Sequence, residues 1–473
     1  MSRSRAIDLL LVGLTAFAGL CGAPRDALAN GAFPTVSQLV PDPSDPDHLV
    51  LRSTFGLLVT RDHGATWDWL CEEGMGYKDV EPPMAVLPGG VILLATPNGI
   101  MRSDAAGCDF QPASGVTAMV LDLARIPTDP NGAVAVSLSG TDTQLWRTDD
   151  GGMTFAPVGD VVSAFIPATV DVAPTDAGVV YVSGLAGTQG ALLRSTDGGV
   201  TFATLPVPNT STSHRPYIAA VDPTDSKTVY VRLDGEPSMV EVTHDGGDTF
   251  VAPLMTKVPA LGLAVSPDGA TVIASNSYDG TFRADAQTLD FEQVACGGPS
   301  CLSFSASGLF GCGDQGVDGF IVGRSDDLGA SFQRVVDLTC IRGPAACGSD
   351  TSIGSACPDA WPAVRDQIGA SECAPPDVEP YTGCFGAAGE GNAGSGTSSN
   401  GGTAATGGSG TKAGGGGNAG GGTPAPSSTP ATKSGGGCAV RAPARAPDEA
   451  AWALAFAVAA FVRRRSARAG RSA

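Results

Sequence analysis

Positive charge and histidine are scarce in this 473-residue chain. It has 28 Lys and Arg, only five of them Lys, against 48 Asp and Glu, so its formal net charge is −20. Nucleic-acid-binding surfaces need clustered Lys and Arg, so this balance excludes a nucleic-acid partner. The four His have no metal-ligand spacing and no Cys-x2-Cys doublet occurs, so the sequence predicts no metal site and no cofactor.

Long apolar runs are also missing, and the two candidates lie at the ends of the chain. Leu9–Leu20 follows two arginines and precedes Ala27-Leu28-Ala29, which is the pattern of a secretory signal peptide over residues 1–29. An uncleaved N-terminal membrane anchor is one alternative. A lipoprotein modified at Cys21 is another, although Leu20 stands before Cys21 where a small residue is expected.

The C-terminal apolar run, Ala450–Val462, has 13 residues and is followed by three arginines. It is shorter than the ~20 residues that a bilayer-spanning helix needs. The order of Cys438, a short apolar helix and an arginine cluster over residues 438–473 resembles the myxobacterial sorting signal MYXO-CTERM. That resemblance implies membrane association, processing by a sorting protease near Cys438 and display on the cell surface. An ordinary C-terminal anchor is the alternative, and both place the protein outside the cytoplasm.

Residues 389–437 contain almost no charge and few large apolar side chains, and they are rich in Gly, Ala, Ser and Thr. This composition cannot form a core and predicts a disordered, flexible linker. The folded part is therefore expected in residues 30–388.

A short motif recurs five times in the folded part. Each copy has a Ser or Thr, an Asp two residues later, a Gly two residues after the Asp, a second Ser or Thr, and then Trp or Phe. The Asp, Gly and aromatic members are Asp62, Gly64, Trp67; Asp150, Gly152, Phe155; Asp197, Gly199, Phe202; Asp245, Gly247, Phe250; and Asp327, Gly329, Phe332. Two degenerate copies, at 103–110 and 283–291, give seven units at a spacing of 41–48 residues.

Each unit contains apolar and β-branched runs separated by Pro, Asp and Gly turns. Pro174–Gly178 followed by Val179–Val182 is an example. Helix-period segments are absent from these units, and four short strands per 40–45 residues is the size of a propeller blade. The sequence predicts an all-β fold, a single seven-bladed β-propeller over residues 30–339.

The motif has a structural explanation. An aspartate in a tight turn accepts backbone amides, the glycine adopts positive φ, and the aromatic ring packs between sheets. The motif is similar to the Asp box, or BNR repeat, of sialidases, sortilin-type receptors and photosystem assembly factors. This resemblance implies a propeller with the motif at the blade periphery, so we assign these residues a structural role. Calcium binding by the aspartates is the alternative.

Ten cysteines remain after Cys21 and Cys438 are set aside. An even number in an exported chain predicts disulfides. We expect Cys71 to pair with Cys108, and we leave the other pairings open. We also expect residues 340–388 to form a disulfide-rich cap at the seam after the seventh blade. A metal site formed by the cysteines is the alternative. The candidates are Cys71, Cys108, Cys296, Cys301, Cys312, Cys340, Cys347, Cys357, Cys373 and Cys384.

The sequence assigns no catalytic residues. Arg52, Arg215 and Arg232 are available arginines, but no segment around them matches the arginine motif of sialidases, and no G-x-S-x-G nucleophile elbow occurs. We therefore expect a non-catalytic, surface-displayed binding or scaffolding module for an extracellular protein or glycan. A secreted glycoside hydrolase with an unrecognised site and a structural envelope protein are the alternatives.

Overall fold

The computed structural model describes residues 34–370 and Cys373. The predicted signal peptide, glycine-rich linker and C-terminal sorting segment, together with Cys384 and Cys438, lie outside the described residues.

Seven antiparallel sheets are formed by consecutive sets of four strands. The strands of the first four sheets are β1 (Val36–Asp42), β2 (Asp45–Ser53), β3 (Gly56–Thr60), β4 (Trp67–Leu70); β5 (Met84–Leu87), β6 (Val91–Thr96), β7 (Gly99–Ser103), β8 (Phe110–Pro112); β9 (Met119–Arg125), β10 (Ala133–Ser139), β11 (Asp142–Thr148), β12 (Ala156–Val162); and β13 (Phe165–Val172), β14 (Val180–Ala186), β15 (Gln189–Ser195), β16 (Ala203–Pro206). Those of the last three are β17 (Pro216–Val221), β18 (Val229–Leu233), β19 (Ser238–Thr243), β20 (Val251–Thr256); β21 (Gly262–Val265), β22 (Thr271–Asn276), β23 (Gly280–Asp285), β24 (Glu292–Ala295); and β25 (Cys301–Ser305), β26 (Gly308–Cys312), β27 (Val322–Ser325), β28 (Gln333–Val336).

The sheets are arranged as a closed ring. The first strand of each sheet lies beside the first strand of the next, and β25 returns to lie beside β1. The first strands therefore form the inner wall around a central channel, and the fourth strands form the outer rim. The prediction of an all-β, seven-bladed propeller is confirmed.

The core lies between the blades. The second strands are buried on both faces, as in the run Leu49–Leu51 of β2 and the run Ala133–Val136 of β10. A strand covered on both faces carries a nearly continuous apolar run. The fourth strands are more exposed, and β12 has no buried side chain. Each blade is thus stabilised by its two neighbours.

The five predicted boxes form turns between third and fourth strands with one shared hydrogen-bond pattern. In blade 4, the Ser195 hydroxyl donates to Asp197 Oδ1 at 2.7 Å, and the Gly199 amide donates to the Ser195 hydroxyl at 2.8 Å. The Thr201 amide donates to Asp197 Oδ1 at 2.9 Å, and its hydroxyl donates to Oδ2 at 2.6 Å. Both carboxylate oxygens are therefore used within the turn. The same bonds recur in blades 1, 3, 5 and 7.

The box glycine also sets the distance between blades. Gly199 has φ of +95°, and a Cβ added to it would lie 2.0 Å from Cδ2 of Leu145 in blade 3. Gly64 of blade 1 approaches Val335 of blade 7 in the same way, with a distance of 2.6 Å from the added Cβ to Cγ1. Glycine is required there by its backbone conformation and by the close packing.

The degenerate boxes keep an aspartate-capped turn by shifting the aspartate. In blade 2, Asp104 Oδ1 accepts the amides of Cys108 and Asp109 at 2.8 and 3.3 Å, although Ala105 occupies the usual position. In blade 6, Asp285 Oδ1 accepts the amides of Gln287 and Thr288.

The chain after blade 7 forms an arm across blades 1 and 2. The strand β29 (Ile341–Pro344) adds to the outer edge of blade 1, parallel to β4, with Ile341 opposite Trp67. Besides the short helix α1 (Gln315–Asp318), the chain forms a helix α2 (Ser352–Ile368), which packs on the 3-10 helix Glu73–Met75. The cap predicted at the seam after blade 7 therefore extends from that seam along blade 1 to blade 2.

The predicted Cys71–Cys108 pairing is wrong. Cys71 is bonded to Cys357, and Cys108 is bonded to Cys347. The arm lies next to both blade cysteines, since the Ile353 amide donates to the Cys108 carbonyl at 3.0 Å. The other described bridges are Cys301–Cys312 and Cys340–Cys373. All nine cysteines within the described residues, including Cys296, are disulfide-bonded.

Helix α2 was not expected from the sequence. Its buried residues, Ile353, Cys357 and Ile368, follow a helical period, and the Thr351 hydroxyl caps its first turn by accepting the Gly354 amide. Pro358 and Pro362 lie inside it and hide the pattern, because proline normally disfavours a helix interior. No helix formed by residues 34–370 is long and apolar enough to cross a membrane.

Candidate functional site

The inner wall is joined from blade to blade by side chains. One edge of each first strand has no strand partner, so its backbone groups need other partners. The Gln38 side chain both donates to the Met84 carbonyl and accepts its amide, at 3.1 and 3.2 Å. The Ile218 amide donates to the Thr169 hydroxyl at 2.8 Å. Polar residues of the wall thus complete the hydrogen bonding of the neighbouring strand.

Two half-buried carboxyl groups belong to this wall, Asp122 of β9 and Asp171 of β13. Burial raises the pKa of Asp122 to about 7, although the Val170 amide donates to its Oδ2 at 2.8 Å and favours the charged form. Burial raises the pKa of Asp171 to about 6, against the opposing effects of the Val172 amide and the Arg125 charge. Both groups therefore titrate near neutral pH.

The two ends of the ring differ in what they carry. The box turns lie at the end that also bears the turns between first and second strands, and we call this end the box face. The opposite end bears the turns between second and third strands and the connections between blades, and we call it the mouth face. The structure places every predicted box residue at the box face and on the outer half of its blade, away from the inner wall.

The box aspartates are held in their charged form. Hydrogen bonds from the Thr201 hydroxyl and amide, and from Ser195, lower the pKa of Asp197 to about 2. Bonds from Thr249 lower the pKa of Asp245 in the same way. Residues 34–370 and Cys373 contain no group of three or more side chains that could hold a metal ion.

Arg52 lies at the mouth of blade 1 and is bound within a polar cluster. Its Nε donates to the Ser37 hydroxyl at 3.0 Å, and its Nη1 donates to the Glu81 carbonyl at 3.3 Å. Ser37 in turn donates to the Glu81 carboxylate at 2.7 Å. Burial lowers the pKa of Arg52, with Glu81 and Asp122 opposing that effect.

The other two arginines named from the sequence lie in blade 5. Arg232 pairs with Asp234 at 2.5 Å and lies over the Tyr217 ring, 4.8 Å from its centroid. Arg215 Nε donates to the Thr212 carbonyl at 3.2 Å. Arg52 is thus in blade 1, whereas Arg215 and Arg232 are in blade 5.

Sequence reasoning missed a set of arginines that join consecutive blades. Arg194 of β15 donates from Nη1 to the carbonyls of Asp245 and Gly246 in the next box, both at 3.0 Å. Arg102 of β7 donates from Nε to the Gly151 carbonyl at 2.7 Å. An arginine directly precedes the first Ser or Thr of the repeat at Arg102 and Arg194. Arg147 and Arg324 have the same position, but they pair with Asp129 and Asp326 of their own blades, so the position alone does not identify the contact.

No protein-family model and no curated protein sequence matches the chain. Among solved structures it is similar to the GH74 enzyme of Niastella koreensis, at 16% identity and a TM-score of 0.45 over 62% of this chain and 52% of that chain. It is also similar to the GH74 xyloglucanase of Xanthomonas campestris, at 15% identity and a TM-score of 0.43 over 67% of this chain and 62% of that chain. For YCF48 of Cyanidioschyzon merolae the identity is 18% and the TM-score is 0.38, over 54% of this chain and 83% of that chain. The chain spans about half the length of the first enzyme. At such identities the likeness concerns the propeller fold alone.

Proposed function

We propose that the protein is a non-catalytic, surface-displayed binding or scaffolding module for an extracellular or envelope ligand, and that the mouth face carries the binding surface. One observation carries the proposal: Asp122 of the inner wall and Arg52 of the mouth are occupied by structural partners. Asp122 bonds the Val170 amide, and Arg52 bonds Ser37 and Glu81. A catalytic acid or base must instead reach a bond of the substrate.

The mouth face also offers the loops that binding requires. The connections between fourth and first strands, such as residues 71–83, 207–215 and 257–261, run across this end of the ring. Loops held by a rigid scaffold are the usual place for recognition residues. The box turns are compact and internally hydrogen-bonded, which favours the mouth face over the box face.

The proposal is tested with the exported full-length protein on a glycan array and in pull-downs from envelope extracts. We expect saturable binding of a defined ligand and no release of reducing sugar from polysaccharides. Hydrolysis of a glycosidic bond by the purified protein would contradict a purely binding role.

A second candidate function, glycoside hydrolysis, is favoured by one observation. The pKa of Asp122 is raised to about 7 and that of Asp171 to about 6, and both residues lie on adjacent inner strands. Glycosidases use two carboxyl groups, one of which stays protonated near neutral pH. If the protein is a hydrolase that uses this pair, D122N abolishes sugar release while the fold is retained.

A further inference from the structure

The chain after helix α2 is tied back to the seam behind blade 7 by the bridge between Cys340 and Cys373. Among the nine cysteines in the described part of the chain, Cys373 alone is exposed, and Cys340 is half-buried. By contrast, both cysteines of the Cys71–Cys357 bridge are fully buried. Thiol–disulfide exchange requires access to the sulfur that is attacked. A thiol in solution can therefore reach the Cys340–Cys373 bridge from the side of Cys373.

A guanidinium group lies beside the other sulfur of this bridge. Arg334 Nη2 is 3.2 Å from Cys340 Sγ. Asp337 Oδ2 is 3.8 Å from the same sulfur, but it is paired with Arg334, and the other oxygen of Asp337 accepts the Thr339 amide at 2.7 Å. The guanidinium is thus the nearer of the two charges, and a nearby cation stabilises a thiolate. Because exchange is faster when the departing sulfur is stabilised as a thiolate, Cys340 is suited to leave.

Opening this bridge does not release the arm from the propeller. The bridges Cys71–Cys357 and Cys108–Cys347 hold the arm on blades 1 and 2 independently of it. The Cys340–Cys373 bridge has a sequence separation of 33 and lies wholly within the arm. It can therefore react with a thiol while the ring of blades stays closed and folded.

We propose that Cys373 is a site of S-thiolation, at which a small thiol is captured by exchange with the Cys340–Cys373 bridge. The thiol loses its proton to solvent, and its sulfur attacks Cys373 Sγ and forms a new S–S bond. The Cys340–Cys373 bond breaks, and its electron pair leaves with Cys340 as a thiolate beside Arg334. The small thiol is oxidised to one half of a mixed disulfide and Cys340 is reduced, so no other oxidant is needed. This inference goes beyond the proposed binding function and does not depend on it.

Reaction of the full-length protein with 2-mercaptoethanol, an uncharged small thiol, tests the proposal. The reaction is stopped at intervals with excess iodoacetamide, and peptide mapping by mass spectrometry locates the adduct and the alkylated cysteine. We expect the first adduct on Cys373 and the first alkylated thiol on Cys340. A first adduct on Cys340, or earlier opening of Cys108–Cys347 or of any other bridge, overturns the proposal.

Variants of Arg334 test how Cys340 leaves. We expect Arg334→Gln to slow adduct formation about three- to tenfold, and Arg334→Lys to keep most of the wild-type rate because it keeps the positive charge. Arg365→Gln, at an arginine of α2 that pairs with the adjacent Asp366, is the matched control and should react as the wild type does. The slower reaction of Cys108–Cys347 should have the same rate in all variants, which a general loosening of the fold would change.

A second variant keeps the test decisive if Arg334→Gln does not fold, since that change leaves the buried Asp337 carboxylate without its ion pair. Arg334→Gln/Asp337→Asn removes both charges, and we expect it to exchange slowly as well. Melting temperatures show which variants are folded. Wild-type exchange rates in these folded variants overturn the role of Arg334, and a wild-type protein that takes up no adduct while folded overturns the modification site itself.

Discussion

Blades 1 and 2 are held together differently from blades 4 and 5. The C-terminal arm bridges blades 1 and 2 with two disulfides, a fifth strand and the Arg342–Asp68 ion pair. Blades 4 and 5 are joined by repeat contacts within the described residues: complete boxes, box glycines and the arginine Arg194.

The arm reinforces a blade whose own repeat is degenerate. The box of blade 2 lacks its usual aspartate, and its fourth strand β8 has only three residues. The Phe110 amide of β8 donates to the Ser352 hydroxyl of the arm at 2.9 Å, and Asp109 accepts the Ser352 amide at 3.1 Å. We conclude that contacts distant in sequence replace the missing local ones near the ring closure.

Removing the Cys71–Cys357 bridge should have the largest effect. The bridge spans 286 residues, but because Cys108–Cys347 stays intact the loop that is opened has about 47 residues, for which the loop-entropy account gives about 4 kcal/mol. We expect C71A/C357A to lower the unfolding midpoint in urea strongly. C301A/C312A, which opens a loop of only 11 residues, is the control and should cost about 2–3 kcal/mol. Equal losses would show that the bridge from the arm to blade 1 stabilises the protein no more than a local disulfide does.

A methyl group on a box glycine should be the next largest change. In Gly199→Ala the new Cβ meets Leu145 at 2.0 Å and the residue keeps positive φ, so we expect a loss of about 2–4 kcal/mol. Gly187 has φ of +67° with open space around it, and Gly187→Ala should cost only about 1 kcal/mol. Thermal unfolding of the two variants tests the structural role predicted for the box. Similar losses of stability in both variants would contradict that role.

Loss of an inter-blade arginine should have a moderate effect in blades 4 and 5. Arg194→Ala removes two charge-assisted hydrogen bonds to backbone carbonyls and leaves these half-buried groups without that partner. We expect a loss of about 1–2 kcal/mol in chemical denaturation. Arg365→Ala, on the exposed side of α2, is the control and should be within about 0.5 kcal/mol of wild type. Equal losses of stability in the two variants would contradict a role for Arg194 in holding blades 4 and 5 together.

The smallest expected effect concerns pH and the inner wall. The pKa of Asp122 is about 7 in the folded protein, above its ordinary value, so the folded state binds a proton more tightly than the unfolded state does. Stability from this group is therefore fully present below about pH 4 and is lost as pH rises through the folded-state pKa of about 7. We expect the free energy of unfolding to fall between pH 5 and pH 8 in the wild type. Asp122→Asn should reduce that fall by about 1 kcal/mol, after solvent screening.

The box aspartates provide the contrast in that experiment. The pKa of Asp197 is lowered to about 2, so it is charged in both the folded and the unfolded state between pH 5 and pH 8. Asp197→Asn should lower stability without changing the slope of that pH profile. A pH profile that is the same for Asp122→Asn and the wild type would contradict the raised pKa of Asp122.

The propeller could be predicted because its repeat is local in sequence. A box turn forms from eight consecutive residues, as Ser195 to Phe202 illustrate, so each copy is visible in the sequence alone. The arm could not be predicted in the same way. The pairings of Cys71 and Cys108 depend on where α2 docks, and two prolines obscure that helix.

The candidate sites were even less accessible to sequence reasoning. Asp122 and Asp171 are ordinary aspartates in short strands, and their raised pKa values arise only because the ring surrounds them with protein.

The amino-acid sequence by itself determined the number of blades, the box turns and the acidic character of the chain, since these depend on spacing and composition. Tertiary structure alone decided the disulfide partners, the protonation of the inner wall and the composition of the mouth face. The physical reason is that turns are encoded by neighbouring residues, whereas burial, charge environment and cross-blade contacts exist only after the ring has closed.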